Sequence, residues 1–405
     1  MKAQGRVTSQ ASDETKESAL LDGVSRYRGP AAVATATFLF WSSLYLYVPI
    51  LPLHAEELGA SLQVVGAVIA AYAIGQVLFR IPIGIASDIY GRKPFAVMAL
   101  VLSALGAAWL GLAGDPWSLF AARMLTGFAA AGWVAISVLF ASYYKGKSTA
   151  TAMSIIMAVN TISLLVSTFL GGILAESLGN AKVFYGAAGI GVAGTLLMLA
   201  AQERRPARTR KYSVSTFTSL LRRPLLLQVS AVAITLQFVT FGVNFGFLPV
   251  LAERLGATKA EVGYITTAGL TAAVLGTVIT SWMIRRMGTL GVVLLASVVS
   301  LVGVLLMPVV DDLVPLGALQ AFNGLGRGLL NTVLISLALR SAETADRATA
   351  MGSYQALYAI GMLAGPAVSG VIAEYGGIDS VFWVCGGITV LGMLLALPGP
   401  LKRSS

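Results

Sequence analysis

The stretch GIASDIYGRK, at residues 84–93, places one acid and two cations between two long apolar segments. The only charge in the apolar segment before it is Arg80, and the next apolar segment starts at Pro94. Apolar segments of about 20 residues are typical of helices that cross a lipid bilayer. The stretch is therefore predicted to be a short charged turn at a membrane surface, between two spans.

The composition supports a membrane protein. Hydrophobic residues make up 57% of the chain and charged residues only 11%, with a mean hydropathy of +0.81. Soluble globular proteins carry roughly 25% charged residues. The lone Cys385 excludes an intramolecular disulfide framework and a multi-cysteine metal site, and the lone His54 excludes a histidine cluster. Without a phosphate-binding loop, we expect neither an enzyme nor an ATP-driven pump, and no cofactor or metal.

Twelve apolar segments divide the chain after its polar N-terminal tail. Backbone groups in lipid must form hydrogen bonds within their own segment, so each segment is predicted to be a helix. The predicted spans are residues 30–54, 62–86, 94–113, 116–140, 149–174, 182–201, 226–251, 261–284, 290–309, 313–339, 348–374 and 380–397. The corresponding regions are a tail (1–28), a first bundle (29–202), a basic linker (203–224), a second bundle (225–398) and a tail (399–405).

The cations are distributed unevenly about these spans. Of the 28 Lys and Arg residues, three lie within spans and three in loops on the side away from the N-terminus, which leaves 22 on the N-terminal side. The positive-inside rule therefore places both termini in the cytoplasm. This placement also explains the net charge of +10 without nucleic-acid binding. Short loops and the absence of N-x-S/T sequons agree with the plasma (inner) membrane of a prokaryote. We expect a monomer.

The two halves of the chain repeat. LPLHAEELGA at residues 51–60 aligns with LPVLAERLGA at residues 248–257, with seven of ten positions identical and an offset of 197. GILAE at residues 172–176 aligns with GVIAE at residues 370–374, at an offset of 198. Parallel repeats of six spans are typical of transporters that bind their substrate between the two halves.

Taken with this repeat and the twelve spans, the G-x-x-x-D-x-x-G-R-K stretch between spans two and three resembles the signature loop of the major facilitator superfamily. The resemblance covers about residues 29–400. In span four, RMLTG at residues 123–127 resembles that family's R-x-x-Q-G motif, with Thr126 in place of Gln. The resemblance implies two pseudo-symmetric six-helix bundles that rock around a central cavity and open it to one side at a time.

The resemblance also implies a conformational latch on the cytoplasmic side, formed by Gly84, Asp88, Gly91, Arg92 and Lys93. Gly91 permits a positive φ in a tight turn, and Gly84 permits close helix approach. Asp88 is expected to pair with Arg92 or to face the positive N-terminal end of span eleven. The alternative is that these charges only set topology. The matching loop at residues 283–288 contains no acid, so the latch is expected to be asymmetric.

Polar residues within the spans predict the cavity. A mid-span charge costs roughly 2.5–3.5 kcal/mol on insertion scales, so it should face a cavity or a partner; Arg80, near a span end, can instead extend to the headgroups. Spans three, six, nine and twelve contain no charge, Asn or Gln in their interiors, which agrees with the arrangement that the resemblance implies, with these four helices outside and the other eight lining the cavity. The predicted lining residues are Arg123, Arg327, Trp41, Tyr45, Asn160, Gln237, Asn244, Asn331, Gln355 and Tyr358. The alternative for the amides and aromatics is packing between helices.

Span eleven carries Gly352, Gly361, Gly365 and Pro366, at the spacing of the antiporter motif that the family's exporters place in span five. Span five keeps small residues at these positions but lacks the Gly-Pro pair. We predict that the span-eleven residues form a tightly packed hinge.

No carboxylate is predicted at mid-membrane, so a cavity with arginines favours anionic or neutral substrates over cations. The leading hypothesis is proton-coupled export (antiport) of a small amphipathic compound. The alternative is uptake of a small organic anion or metabolite by proton symport or facilitated diffusion. A more remote alternative is a membrane sensor or scaffold that does not transport.

Overall fold

The computed structural model describes residues 29–144, 148–203, 223–343 and 347–397. The predicted tails and residues 204–222 of the predicted linker lie outside the described residues. Within the described ranges the secondary structure is entirely helical. The helices are α1 (Gly29–Glu57), α2 (Leu62–Tyr90), α3 (Arg92–Leu112), α4 (Pro116–Ser142), α5 (Ser148–Leu178), α6 (Asn180–Ala200), α7 (Pro224–Arg254), α8 (259–287), α9 (289–306), α10 (Leu313–Arg340), α11 (Arg347–Gly376) and α12 (Ile378–Ala396).

Helices α8 and α9 follow one another almost without a break. Lys259–Leu306 carries helical hydrogen bonding over 48 residues, but Gly288 inside it has φ 73° and ψ 170°. A straight helix of that length would extend more than twice the ~30 Å thickness of a bilayer core, at ~1.5 Å per residue. The chain reverses at Gly288, so this segment makes two spans, and the described residues contain twelve. The prediction of an all-α membrane protein with twelve spans is confirmed.

The turns between helices preserve the internal repeat. All six residues with positive φ in the described ranges are glycines, and they form three pairs at offsets of 197 or 198 residues. Each pair occupies the same junction in the two halves: Gly59 and Gly256, Gly91 and Gly288, and Gly179 and Gly377. Only glycine adopts such a φ without steric cost. The two halves therefore share one path of the chain, as expected for pseudo-symmetric bundles.

Each half packs as its own bundle, and two helix pairs make the most extensive contacts between the halves. In the first half α2 packs against α4, and α3 against α6; in the second half α7 packs against α11 and α12. Between the halves, α2 contacts α11 and α5 contacts α8. We call the membrane face where α2 and α8 begin the acidic face, because carboxylates such as Glu57, Glu176 and Glu374 lie there. The opposite face, where α2 ends, is the basic face.

Glycines close the contact between the bundles near the acidic face. A Cβ added to Gly370 on α11 would lie 3.0 Å from the Cα of Gly66 on α2. A Cβ added to Gly172 on α5 would lie 2.9 Å from the Cα of Gly263 on α8. Both distances are shorter than side-chain contacts allow. The backbones of the two bundles therefore touch at two pseudo-equivalent positions, as small residues permit in membranes.

Polar contacts surround these glycines on the acidic face. The Glu374 carboxylate accepts a hydrogen bond from the backbone N–H of Gln63 (3.4 Å), and Glu176 accepts one from the backbone N–H of Lys259 (2.9 Å). The Lys259 Nζ also pairs with Glu57 Oε1 at 2.7 Å. Partly exposed ion pairs contribute only ~0–1 kcal/mol. This ion pair is therefore a small addition to the close backbone packing of the acidic face.

At the basic face the bundles stand apart. A Cβ added to Gly84, near the end of α2, would meet only Val134 of its own bundle, at 3.8 Å. Neighbouring side chains such as Leu78, Ile81 and Ile89 are exposed. The structure is thus closed on the acidic face and open toward the basic face.

Candidate functional site

A central cavity of about 430 Å³ lies between the two bundles. Its lining comes from α1, α2, α4, α5, α7, α8, α10 and α11, and none comes from α3, α6, α9 or α12. These are the eight helices expected to line it, although only six of them carry an interior charge, Asn or Gln in the sequence, and α1 and α8 carry none. Eight of the ten predicted lining residues are present: Arg327, Trp41, Tyr45, Asn160, Gln237, Asn331, Gln355 and Tyr358.

Arg327 is the buried charge of this cavity. Its side chain is 8% exposed, and its NH2 group donates to the carbonyl of Gly269 on α8 at 3.5 Å. In the described part of the chain no carboxylate lies within 4.0 Å of it. A buried cation without a counter-ion is costly. The cavity therefore offers an uncompensated positive charge in its wall.

Aromatic rings cover another part of the wall. Trp41 contacts Trp133 with ring centroids 5.4 Å apart and Tyr45 at 5.7 Å. Tyr45 in turn contacts Phe245 at 6.1 Å, and Phe245 contacts Phe241 at 5.3 Å. The cluster joins the two bundles, because Trp41, Tyr45 and Trp133 belong to the first bundle and Phe241 and Phe245 to α7 of the second.

Phe241 and Phe245 were not among the predicted residues. They follow Gln237 at intervals of four residues, so all three share one face of α7. That spacing would have identified them once Gln237 was assigned to the cavity. The segment Thr240–Phe247 is π-helical, a form found frequently at functional sites.

Arg80 also lines the cavity. The sequence leaves open an alternative in which this side chain extends to the lipid headgroups. In the structure it is half-buried, because the basic-face half of α2 borders the open end of the cavity. The cavity thus contains two arginines, and no Asp or Glu is among its lining residues.

Arg123 is a correction to the predicted lining. It is 5% exposed and lies behind the cavity wall, with its guanidinium carbon 4.5 Å from the ring centre of Tyr72 and 5.7 Å from that of Tyr47. Its NH1 group donates to Thr126 Oγ1 at 3.4 Å. Cation–π contact with two tyrosines, rather than a cavity, accommodates this charge. Tyr72 itself lines the cavity, so it separates Arg123 from it.

Asn244 is the second correction. It is 1% exposed, and its Oδ1 accepts a hydrogen bond from Nδ2 of Asn323 at 2.8 Å. Asn323 also accepts from Ser300 Oγ at 2.8 Å. These contacts tie α7 to α10 and α9, which is the helix-packing alternative that the sequence left open for the amides.

The charged stretch at residues 84–93 makes its contacts within the first bundle. Asp88 Oδ1 accepts from Arg92 NH2 at 3.2 Å, one of the two partners expected for it. The backbone N–H of Arg92 donates to the carboxylate of Glu203 at 2.6 Å, and Lys93 Nζ donates to the carbonyl of Leu199 at 2.7 Å. Arg92 and Lys93 thereby fix the start of α3 to the end of α6.

The small residues of α11 differ in their packing. A Cβ added to Gly365 would lie 2.9 Å from the Cα of Phe238, and one added to Gly361 would lie 3.0 Å from the Phe238 nitrogen, so both pack on α7. Gly352 has no atom within 4 Å of such a Cβ. It therefore makes no tight contact in this conformation. The helix continues through Pro366.

Comparison with known proteins gives a consistent result. The family profile described as the Major Facilitator Superfamily matches residues 33–247 and again residues 230–405. The multi-drug resistance efflux pump PmrA of Streptococcus pneumoniae is 26% identical over 368 residues, covering 85% of this chain and 89% of PmrA. The inner membrane transport protein YajR of Escherichia coli is 25% identical over 368 residues, covering 85% of this chain and 77% of YajR.

The solved structures agree on the fold. A bacterial homologue of the human lysosomal transporter Spinster, in an inward-facing and unoccupied conformation, superposes with a TM-score of 0.78. The alignment covers 91% of this chain and 96% of that one, at 14% sequence identity.

Proposed function

This chain belongs to the major facilitator superfamily and is a membrane transporter, and from that premise we propose that it exports a small amphipathic anionic or neutral compound. The cavity between the bundles carries the proposal, because it opens to the basic face, closes at the acidic face and contains arginine without acid. Rocking of the bundles would exchange the open and closed faces. We assign proton antiport as the energy source.

The orientation follows from the charges. Under the positive-inside rule the basic face is cytoplasmic, so the cavity of this structure opens to the cytoplasm. The bacterial relative YajR is described as an inner membrane protein. We assign this chain to the same membrane of a prokaryote, with both termini in the cytoplasm.

The proposed direction of transport rests on the relatives of this chain and on the side to which the cavity opens. PmrA, described as a multi-drug resistance efflux pump, aligns over most of both chains. A cavity open to the cytoplasm is the state in which an exporter loads its substrate. The second candidate is uptake of a small organic anion, which the unpaired Arg327 favours equally because charge in the cavity does not set direction.

Vesicles of known orientation test the direction. We expect everted membrane vesicles that contain the protein and have an acidic interior to accumulate radiolabelled substrate. The substrates are aromatic carboxylates or amides identified in a thermal-shift screen. Collapse of the gradient by a protonophore should abolish accumulation, and vesicles without the protein provide the background. Accumulation only in right-side-out vesicles would establish uptake and contradict export.

Asp88→Asn tests the proposed latch. When the basic face closes, Asp88 approaches the N-terminal end of α11, where a carboxylate contributes up to ~2 kcal/mol. Removal of its charge is expected to slow transport about tenfold, since 1.4 kcal/mol corresponds to a factor of ten, while the dissociation constant of the ligand stays within twofold. Asp311→Asn, at an exposed acidic-face loop, is the matched control. A tenfold weaker binding by Asp88→Asn would show that Asp88 acts on the ligand site instead.

A further inference from the structure

The cavity contains both a charge and an aromatic surface. Arg327 and Tyr45 both line it. Tyr45 is also the middle ring of the aromatic cluster, in contact with Trp41 on one side and Phe245 on the other. A ligand that fills the cavity therefore meets both the guanidinium and the rings. This arrangement favours a ligand that combines a negative charge with an aromatic ring over one that has only a charge or only an apolar surface.

Arg327 has unused hydrogen-bonding capacity. A guanidinium has five N–H donors, and the structure gives Arg327 one protein acceptor, the Gly269 carbonyl at 3.5 Å. No Arg327 nitrogen is among the fully buried polar atoms that lack a hydrogen-bond partner, so each is either hydrogen-bonded or accessible. The remaining donors therefore open toward the cavity. A planar carboxylate accepts two such bonds in parallel, which a neutral amide, with its single oxygen, does not.

The aromatic cluster supplies a flat, rigid surface. Trp41 is 7% exposed and is held between Phe40, Tyr45 and Trp133, at centroid distances of 5.3, 5.7 and 5.4 Å. Ring pairs of this kind contribute ~0.5–1.5 kcal/mol beyond the area they bury. A flexible alkyl chain gains the burial but not the ring contacts, and it loses rotational freedom on binding.

We infer that the cavity binds a compact aromatic anion, with its acidic group at Arg327 and its ring system against Trp41, Tyr45 and Phe245. The inference rests on the proposed function and narrows its substrate class. The absence of acids among the lining residues disfavours aromatic cations, and the volume of about 430 Å³ accommodates one to two fused rings with a short acidic substituent. The amides Gln237 and Asn331 remain to orient further polar groups.

Binding by the purified full-length protein in nanodiscs tests the inference, with four probes compared by thermal shift and by quenching of tryptophan fluorescence. We expect 2-naphthoate to bind at least tenfold more tightly than its neutral amide, 2-naphthamide, and at least tenfold more tightly than the aliphatic anion octanoate. The cation 2-naphthylmethylammonium is expected to bind most weakly. Equal binding of naphthoate and naphthamide, equal binding of naphthoate and octanoate, or no binding of naphthoate overturns the inference.

Trp41→Leu locates the aromatic contact. It should reduce the preference for naphthoate over octanoate to threefold or less, while Trp383→Leu, at an exposed position of α12, should leave the preference unchanged. Phe245→Leu is the second variant if Trp41→Leu does not fold. An unchanged preference in the folded variants also overturns the inference. The vesicle experiment can fail independently of this one. If the protein binds naphthoate but moves no solute in either vesicle orientation, the export proposal is contradicted and the inference about binding is not.

Discussion

The Gly370→Leu substitution is expected to hold the two bundles apart at the acidic face. A Cβ at this position would lie 2.9 Å from the Leu62 carbonyl oxygen, 3.0 Å from the Gln63 oxygen and 3.0 Å from the Gly66 Cα. All three are backbone atoms, which cannot rotate away as a flexible side chain can. Overpacking of this kind costs ~1–3 kcal/mol. The closed state should therefore lose about tenfold or more in population relative to the state open at the acidic face.

Thiol labelling measures this shift. Cys385 is buried and is the only native cysteine, so a cysteine introduced at Leu165 in the cavity wall reports access with little background. An impermeant maleimide added from the acidic side of oriented proteoliposomes should label the Gly370→Leu protein about tenfold faster than its parent. Gly387→Leu is the matched control, because a Cβ at that position of α12 meets nothing within 4 Å. Equal labelling rates in the two variants would mean that the glycine contact does not set the closed state.

The Arg327→Gln substitution is expected to abolish discrimination by charge. Loss of one partner of a desolvated charge pair costs 2–5 kcal/mol in binding, so the affinity for 2-naphthoate should fall at least 30-fold. The affinity for 2-naphthamide should change less than threefold. Because the described structure gives Arg327 no carboxylate, removal of this cation should leave the empty protein as heat-stable as before, or more so.

Isothermal titration of both probes and a melting curve without ligand measure these effects. Arg327→Lys keeps the charge but loses the planar guanidinium, so it should retain part of the preference for the anion. Arg286→Gln, on a side chain over Trp282 at the end of α8, controls for loss of positive charge elsewhere. Equal losses for naphthoate and naphthamide would show that Arg327 has no specific role in recognising an anion.

Helix number was predictable because it depends on the polarity of whole segments. Polarity identified six of the eight cavity helices, and the family resemblance supplied α1 and α8, which carry no interior charge, Asn or Gln. Spans without interior polar groups face lipid at little cost, and spans with buried amides or charges need partners or water. Even Gly288, where two helices join without a loop, is anticipated by the length of the apolar segment and by its counterpart Gly91.

The positions of individual side chains around each helix were less predictable. Arg123 and Arg327 look alike in the sequence, as single cations within apolar spans. What separates them is the presence of Tyr72, contributed by another helix, between Arg123 and the cavity. Asn244 likewise faces Asn323 rather than the cavity, and it lies in the π-helical segment of α7. A wider helical turn rotates the residues that follow it, and the apolar sequence around it carries no signal for that turn.

The unpaired Arg327 has an electrical consequence. With a monovalent anion bound, Arg327 and the anion together carry no net charge across the membrane. Without the substrate, Arg327 contributes one positive charge. A charge that crosses the whole membrane field changes in energy by ~2.3 kcal/mol per 100 mV, and the cavity crosses a fraction of it. The potential of a living cell, negative inside, would then act mainly on the substrate-free carrier, which under proton antiport returns with its proton, and draw it toward the cytoplasm-facing form. The energised membrane itself would reset this protein after each release, and a voltage-dependent return step would appear in its turnover.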